Sequence, residues 1–201
     1  MKLWCFGDSN TYGYDPCGFF GGRYAAPWPA LLAEKTGFQV INDGKNGRMI
    51  PEREHEFLQF RRDAERHSAD ALIVMLGTND LKEQYHVTTW VLARAMEQLM
   101  HIIDAYEYAP HYQKPQVLLV SPIEVGEDIE NSPFGCFTRA AIAPSKEFAK
   151  IYAPVAEKYG AHFFDAASVA RPSAEDQLHM DESSHRALAD ALAVKVREVL
   201  A

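Results

Sequence analysis

A serine near the start of the chain and an Asp-His pair near its end are the residues that could do chemistry together. Ser9 stands in the Gly-Asp-Ser-Asn-Thr segment of residues 7–11, directly after a short apolar run. A serine hydroxyl is a poor nucleophile at neutral pH, so it needs a general base, and the base needs an orienting partner. His179 is the candidate base, and Asp176, three residues before it, is the candidate orienting carboxylate. These residue types indicate nucleophilic attack by serine on an acyl carbon.

Acyl transfer by a serine also needs hydrogen-bond donors where negative charge develops on the substrate oxygen. The backbone N–H of Ser9 is one candidate donor. Asn79, in the Gly-Thr-Asn-Asp segment of residues 77–80, offers a neutral side-chain amide. Gly47 could bring a third N–H close because it has no side chain. We therefore expect an oxyanion hole built from Ser9, Gly47 and Asn79.

The elements that must position these residues alternate along the chain. Five short, nearly continuous apolar runs predict buried parallel strands. They are Leu3–Phe6, Phe38–Ile41, Ala71–Leu76, Gln116–Val120 and His162–Asp165. Segments with helical spacing lie between them, so we predict an α/β fold, a three-layer α/β/α sandwich around a parallel sheet. The candidate segments follow strands and should meet at the carboxyl edge of that sheet, where ligands bind.

Bulk properties are those of an ordinary globular chain. With 201 residues, 47% of them hydrophobic, the sequence predicts one domain over residues 1–201. The formal charge of −8, with scattered basic residues, argues against a nucleic-acid partner. No apolar run approaches the roughly 20 residues that cross a bilayer. Ser9 also leaves no room for a signal peptide before it, so we expect a cytoplasmic protein with no membrane partner.

Four segments together resemble the blocks of the SGNH (GDSL-type) hydrolase family. They are residues 7–11, the glycine within residues 46–48, residues 77–80 and residues 176–179. They stand in the family's order and span nearly the whole chain. The extended start, Gly-Asp-Ser-Asn-Thr-Tyr-Gly-Tyr in residues 7–14, resembles the arylesterase and acyltransferase branch. Asn10 departs from the founding motif, which has leucine at that position.

The resemblance implies a flavodoxin-like strand order, 2-1-3-4-5, and no metal or organic cofactor. It implies Ser9 as nucleophile, with Asp176 and His179 as its partners. It also implies the same three oxyanion donors, although Gly44 stays an alternative to Gly47 because both lie in one loop. The implied activity is hydrolysis of small, acetyl-type acyl esters through an acyl-enzyme, with acyl transfer to alcohols as a further capacity.

Two alternatives stay open on the residues. A carbohydrate O-acetyl esterase would use the same machinery on a different substrate. A non-catalytic flavodoxin-like module would instead bind a phosphorylated ligand at the same edge. The chain has neither G-x-x-x-x-G-K-[ST] nor G-x-G-x-x-G, and Asp8 would repel phosphate. A metal site at His179, Asp181 and His185 is disfavoured, because His185 falls in the first turns of the predicted last helix and need not face the sheet edge.

Aromatic residues after the nucleophile could line a substrate pocket or form a subunit interface. They are Tyr12, Tyr14, Phe19, Phe20 and Trp28. Asp8 could also line the pocket, although an aspartate at such a turn more often caps backbone N–H groups. Two long irregular segments, Asp15–Trp28 and Pro122–Pro144, look unneeded for the core and favour a homo-oligomer.

Overall fold

The computed structural model describes residues 1–18, 22–107 and 113–201. Within these ranges five parallel strands form one sheet, in the order β2-β1-β3-β4-β5. The strands are β1 (Lys2–Gly7), β2 (Gln39–Gly44), β3 (Ala71–Met75), β4 (Gln116–Ser121) and β5 (His162–Asp165). The predicted α/β fold and strand order are confirmed.

Helices occupy the segments between the strands and after β5. They are α1 (Ser9–Tyr12), α2 (Trp28–Thr36), α3 (Glu54–His67), α4 (Thr89–Ala105), α5 (Ile142–Ser145), α6 (Phe148–Lys158) and α7 (Glu182–Val199). Local sequence sets their ends. Gly37 takes the left-handed conformation, with φ at 72°, and terminates α2. The Thr88 hydroxyl accepts the Val91 N–H and begins α4. No described helix combines the length and apolarity needed to cross a membrane.

Apolar side chains cover both faces of the sheet. Along β1, Trp4 and Phe6 pack into one layer with α3, α4 and α6, while Leu3 and Cys5 pack into the other with α2 and α7. Because both faces are covered, the central strands β1, β3 and β4 consist of nearly continuous apolar runs rather than alternating ones. Full burial of one such side chain contributes about 1.5–3 kcal/mol to stability, so this packing stabilises the sheet that carries the site.

The strand register brings the ends of β1, β2 and β3 to one level. Gly7 pairs with Gly44 of β2 and with Met75 of β3. Glycine is needed at this level because α1 lies directly against it. A Cβ on Gly44 would stand 2.0 Å from the Tyr12 nitrogen, and a Cβ on Gly7 would stand 2.0 Å from Thr11 Oγ1. The segments that follow the three strands therefore converge around Ser9.

The segment Pro122–Pro144 contributes to the core, contrary to the sequence expectation. It forms short 3₁₀ turns at Ile129–Asn131 and Arg139–Ala141. Its apolar side chains are buried, with Val125, Ile129 and Phe137 in the layer of α4 and α6. Trp28 is likewise only 1% exposed. The sequence does not reveal this burial because the apolar residues are irregularly spaced and show neither helical nor strand period.

Candidate active site

Ser9, His179 and Asp176 form one hydrogen-bonded line at the carboxyl edge of the sheet. The Ser9 Oγ lies 2.8 Å from His179 Nε2, across 170 residues of chain. The other ring nitrogen, Nδ1, lies 2.5 Å from Asp176 Oδ2. All three residues are buried, Ser9 being 7% exposed. With Nδ1–H donating to the carboxylate, Nε2 is free to take the serine proton, and the carboxylate stabilises the imidazolium that results.

A tight turn brings the Asp176 carboxylate into contact with the imidazole of His179, three residues later in the same loop. Asp176 Oδ1 accepts the backbone N–H groups of Leu178 at 3.0 Å and His179 at 2.8 Å. Gln177, between Asp176 and Leu178, has φ at 61°, in the left-handed region that few residues other than glycine adopt. The turn thereby leaves Asp176 Oδ2 for the ring nitrogen, so each carboxylate oxygen has a separate partner.

Ser9 is presented at the first turn of α1. Asp8 is the N-cap, and its Oδ1 accepts the Asn10 N–H at 2.9 Å. The Asp8 carboxyl is 1% exposed. Burial raises its pKa to about 6, with the bond from the Asn10 N–H opposing the rise. Asp8 therefore acts as a buried helix cap, which is the structural role expected of an aspartate at such a turn.

The three candidate oxyanion donors come from the loops after β1, β2 and β3. Asn79 Nδ2 donates to the Arg48 carbonyl at 3.1 Å, which ties the third loop to the second. Gly47 has φ at 77°, and a Cβ there would meet no atom nearer than Lys82 Nζ at 4.0 Å. Gly44 belongs to β2, and its N–H donates to Asn42 Oδ1 at 2.9 Å. The Gly44 donor is thus occupied, which favours Gly47.

Two charged side chains that sequence reasoning did not select hold the loop around Gly47. Arg48 donates to the Gly7 carbonyl at 2.9 Å and pairs with Asp43 Oδ1 at 2.7 Å. Both oxygens of Asp80 accept the Ile50 N–H at 3.3 Å. Burial raises the pKa of Asp80 to about 8. The sequence does not predict these contacts of Arg48 and Asp80, because they join separate segments of the chain.

Two aromatic rings pack against the imidazole. The Tyr14 ring centroid lies 4.3 Å from that of His179, and the Phe134 centroid lies 5.2 Å from it. Both side chains are half-buried. Tyr14 was a sequence candidate for the pocket, whereas Phe134 was missed because it lies in an irregular segment. Tyr12 instead packs against Arg23, whose guanidinium carbon lies 4.6 Å from the centroid of the Tyr12 ring. Phe19 and Phe20 lie outside the described residues.

The residues of the metal interpretation have other partners. Asp181 caps α7 by accepting the Ser184 N–H at 2.7 Å. His185 Nδ1 accepts the Trp28 N–H at 3.3 Å, at the start of α2. Burial lowers the pKa of His185 to about 4. In the described part of the chain, no group of three His, Cys, Asp or Glu side chains could hold a metal ion.

The fold and the hydrogen-bonded site define a serine ester hydrolase. Residues 5–187 match the GDSL-like lipase/acylhydrolase family. The chain therefore belongs to this family, which agrees with the resemblance seen in its four sequence blocks. None of the curated proteins matches the chain.

Solved structures of esterases are similar to this chain along its whole length. A carbohydrate acetylesterase family member from Sinorhizobium meliloti is 30% identical, with a TM-score of 0.89, over 99% of this chain and 98% of that one. The aryl esterase of M. smegmatis is 28% identical, with a TM-score of 0.88, over 99% of both chains. A further carbohydrate acetylesterase from Sinorhizobium meliloti, Est24, is 26% identical, with a TM-score of 0.86, over 98% of this chain and 99% of that one.

Proposed function

We propose that this protein hydrolyses small, acetyl-type acyl esters through an acyl-enzyme formed on Ser9. The observation that carries the proposal is the line of two hydrogen bonds, 2.8 Å from Ser9 to His179 and 2.5 Å from His179 to Asp176. A nucleophile, a base and an orienting carboxylate in contact are the parts that serine acyl transfer requires. Family membership favours this enzyme over the non-catalytic binding module.

The reaction proceeds in two steps, acylation of Ser9 and then hydrolysis of the acyl-enzyme. His179 Nε2 takes the Ser9 proton as Oγ attacks the ester carbonyl carbon, and the carbonyl oxygen becomes an oxyanion. When the tetrahedral intermediate collapses, the bond to the alcohol breaks and the imidazolium returns its proton to the leaving oxygen. His179 then deprotonates a water molecule, which attacks the acyl carbon. As this second tetrahedral intermediate collapses, the bond to Ser9 Oγ breaks and the imidazolium returns its proton to Oγ, which releases the carboxylic acid and restores Ser9. An alcohol in place of this water gives a new ester, which is the acyl-transfer capacity.

The oxyanion is assigned to the Ser9 N–H, the Gly47 N–H and the Asn79 amide. No described residue accepts a hydrogen bond from either backbone N–H. Asn79 Nδ2 has two hydrogens, and the Arg48 carbonyl engages only one of them. Donors that are already in place stabilise developing charge without reorganisation, which is the largest single contribution in many such sites.

The rings of Tyr14 and Phe134, which pack against the imidazole and form an aromatic wall, favour esters whose acyl or alcohol part is small and apolar. Tyr14 and Phe134 lie 5.7 Å apart, centroid to centroid, beside the imidazole. Aryl acetates fit such a wall, and acetylated sugars are the second candidate because two of the similar structures are carbohydrate acetylesterases. A panel of aryl acetates, alkyl esters of increasing acyl length and acetylated sugars, compared by kcat/KM, separates these classes.

Substitution of Ser9 tests the proposal. Ser9→Ala should abolish hydrolysis of an aryl acetate while leaving the fold intact. An organophosphonate should modify the wild-type protein once, at Ser9. Ser145→Ala is a matched control, because Ser145 is also a buried serine but its hydroxyl accepts the Val125 N–H at 3.0 Å and donates to the Ile142 carbonyl at 2.7 Å rather than to the imidazole. Retained turnover in Ser9→Ala would refute the proposed nucleophile.

We also propose that residues 1–201 form one domain that self-associates in the cytoplasm. Both apolar layers pack on the same sheet, which supports one domain. Trp90 on α4 is 70% exposed, and exposed aromatics are common at subunit interfaces. The three cysteines are unpaired, as is usual in a reducing compartment. A monomeric mass in solution scattering would reject the oligomer, and cell fractionation tests the location.

A further inference from the structure

The side chain of Asn10 bridges the nucleophile helix and the loop that carries His179. Its Nδ2 donates to the Leu178 carbonyl at 3.2 Å, and its Oδ1 accepts the Met180 N–H at 2.9 Å. These two backbone groups stand on either side of His179. Asn10 is 3% exposed and directly follows Ser9 in α1. One amide therefore engages the backbone both before and after the candidate base.

We propose that Asn10 is a positioning residue that holds His179 in register with Ser9, a role that rests on the proposed esterase function. The amide gives the loop a donor and an acceptor, as a neighbouring β-strand would, and so fixes the backbone on both sides of His179. Because Asn10 and Ser9 are consecutive in the same helical turn, this contact also sets the distance from the serine hydroxyl to the imidazole.

The other hydrogen bonds of the loop do not connect it to α1. Asp176 orients the imidazole, but it belongs to the same loop and moves with it. The His179 carbonyl accepts the Ser173 N–H at 2.7 Å, again within the loop. Among the described residues, three hydrogen bonds join α1 to this loop: the one that Asn10 donates, the one that it accepts, and the Ser9–His179 bond itself. Without Asn10, the Ser9–His179 bond would be the one hydrogen bond left between α1 and this loop among the described residues.

Leucine, the residue of the founding motif at this position, has a similar volume but makes no hydrogen bond. In this structure it would leave the Leu178 carbonyl and the Met180 N–H buried without their partner. The departure from the motif is thus tied to a specific contact, and Asn10→Leu is the informative substitution.

The first measurement compares Asn10→Leu with Ser184→Ala. Ser184 is a matched control because its Oγ accepts the Arg171 N–H at 3.1 Å and donates to the Arg171 carbonyl at 2.9 Å, near the start of the same loop. Displacing a catalytic group by about 1 Å can cost about 10²-fold in rate. We expect Asn10→Leu to lower kcat by about that factor with little change in KM, because only the transition state needs the aligned base. Ser184→Ala should lower the melting temperature and leave kcat close to wild type.

The second measurement does not depend on activity. The His179 Nδ1 proton, in its 2.5 Å bond to Asp176, should give a far-downfield proton NMR resonance. Asp176→Asn assigns that resonance by removing it. We expect the resonance to broaden or shift in Asn10→Leu and to persist in Ser184→Ala, because only the first substitution frees the backbone around His179.

The outcomes separate the positioning role from the proposed function. A wild-type kcat and an unchanged resonance in Asn10→Leu would overturn the positioning role. A changed resonance in a protein without Ser9-dependent turnover would support it while rejecting the esterase. If Asn10→Leu does not fold, Asn10→Asp decides: a protonated carboxyl can make both bonds and an ionised one only the bond from Met180. Its kcat relative to wild type should then fall as pH rises, and a constant ratio near one would overturn the proposal.

Discussion

The backbone N–H of Gly126 donates to the carbonyl of Gln177 at 2.8 Å, which joins the segment after β4 to the turn between Asp176 and His179. The two residues are in close contact, since a Cβ on Gly126 would stand 2.1 Å from Gln177 Oε1. Gln177 holds the left-handed conformation, with φ at 61°, on the other side of this contact. The turn that carries the base is therefore held by the β4 segment as well as by Asn10.

Gly126→Ala should disturb this turn. The added methyl group must displace the Gln177 side chain, which would lose its bonds to the Asp128 N–H at 3.4 Å and the Ala174 carbonyl at 3.1 Å. Overpacking of this kind costs about 1–3 kcal/mol, and we expect a lower melting temperature together with a reduced kcat. Gly135→Ala in the same segment is the control, since a Cβ there meets nothing within 4 Å. Equal kcat values in the two variants would contradict the prediction.

Asn79→Ala should remove one oxyanion donor. Loss of such a donor typically lowers kcat by about 10²–10³-fold, and KM should stay close to wild type because the charge develops only in the transition state. Thr78→Val, in the same turn, is a near-isosteric control, since the buried Thr78 Oγ1 has no hydrogen-bond partner in the part of the chain that the structure describes. Steady-state kinetics on an aryl acetate measures both variants. An unchanged kcat in Asn79→Ala would show that the stabilising donors lie elsewhere.

Phe134→Ala should widen the substrate range. Its ring lies 5.2 Å from the His179 ring and 5.7 Å from Tyr14, so its removal opens space beside the reacting groups. One methylene in an apolar pocket changes kcat/KM by at least about 10-fold, and we expect the butyrate-to-acetate ratio to rise by about that factor. Tyr159→Ala removes a half-buried aromatic ring that packs near His101 instead. The same ratio in both variants would remove Phe134 from the pocket.

His185 should make the fold less stable in acid. Burial lowers its pKa from 6.5 to about 4 in the folded protein. Between these values the unfolded chain binds the proton and the folded chain does not, so the free energy of unfolding falls as the pH falls, by up to about 3 kcal/mol. His185→Asn cannot titrate, although its Oδ1 could still accept the Trp28 N–H, and should flatten this dependence.

Urea unfolding at pH values from 7 to 4 measures the effect of His185. The carboxyls of Asp8 and Asp80 titrate in both proteins, so the difference between variant and wild type isolates the histidine. His55→Gln is the control because His55 is exposed. A wild-type pH dependence in His185→Asn would show that the buried imidazole is not the source of acid sensitivity.

Local patterns in the sequence were sufficient to predict the strands of the sheet and to select the candidate reacting residues. The five apolar runs predicted the strands to within a few residues, because a strand covered on both faces must be continuously apolar. Gly37 and Thr88 similarly mark helix ends through short-range hydrogen bonds. Ser9, Asp176 and His179 were selected because their chemistry is complementary and because each follows a predicted element.

The sequence by itself determined which residue types could react and at which edge of the sheet they would stand. Only the tertiary structure favours Gly47 over Gly44, because the Gly44 N–H donates to Asn42 Oδ1, and only it revealed Asn10, Phe134 and Gln177 as neighbours of His179. The physical reason is the range of the contacts. Asn10 meets Leu178 across 168 residues, and a contact between segments so far apart in sequence leaves no period, cap or motif in the chain.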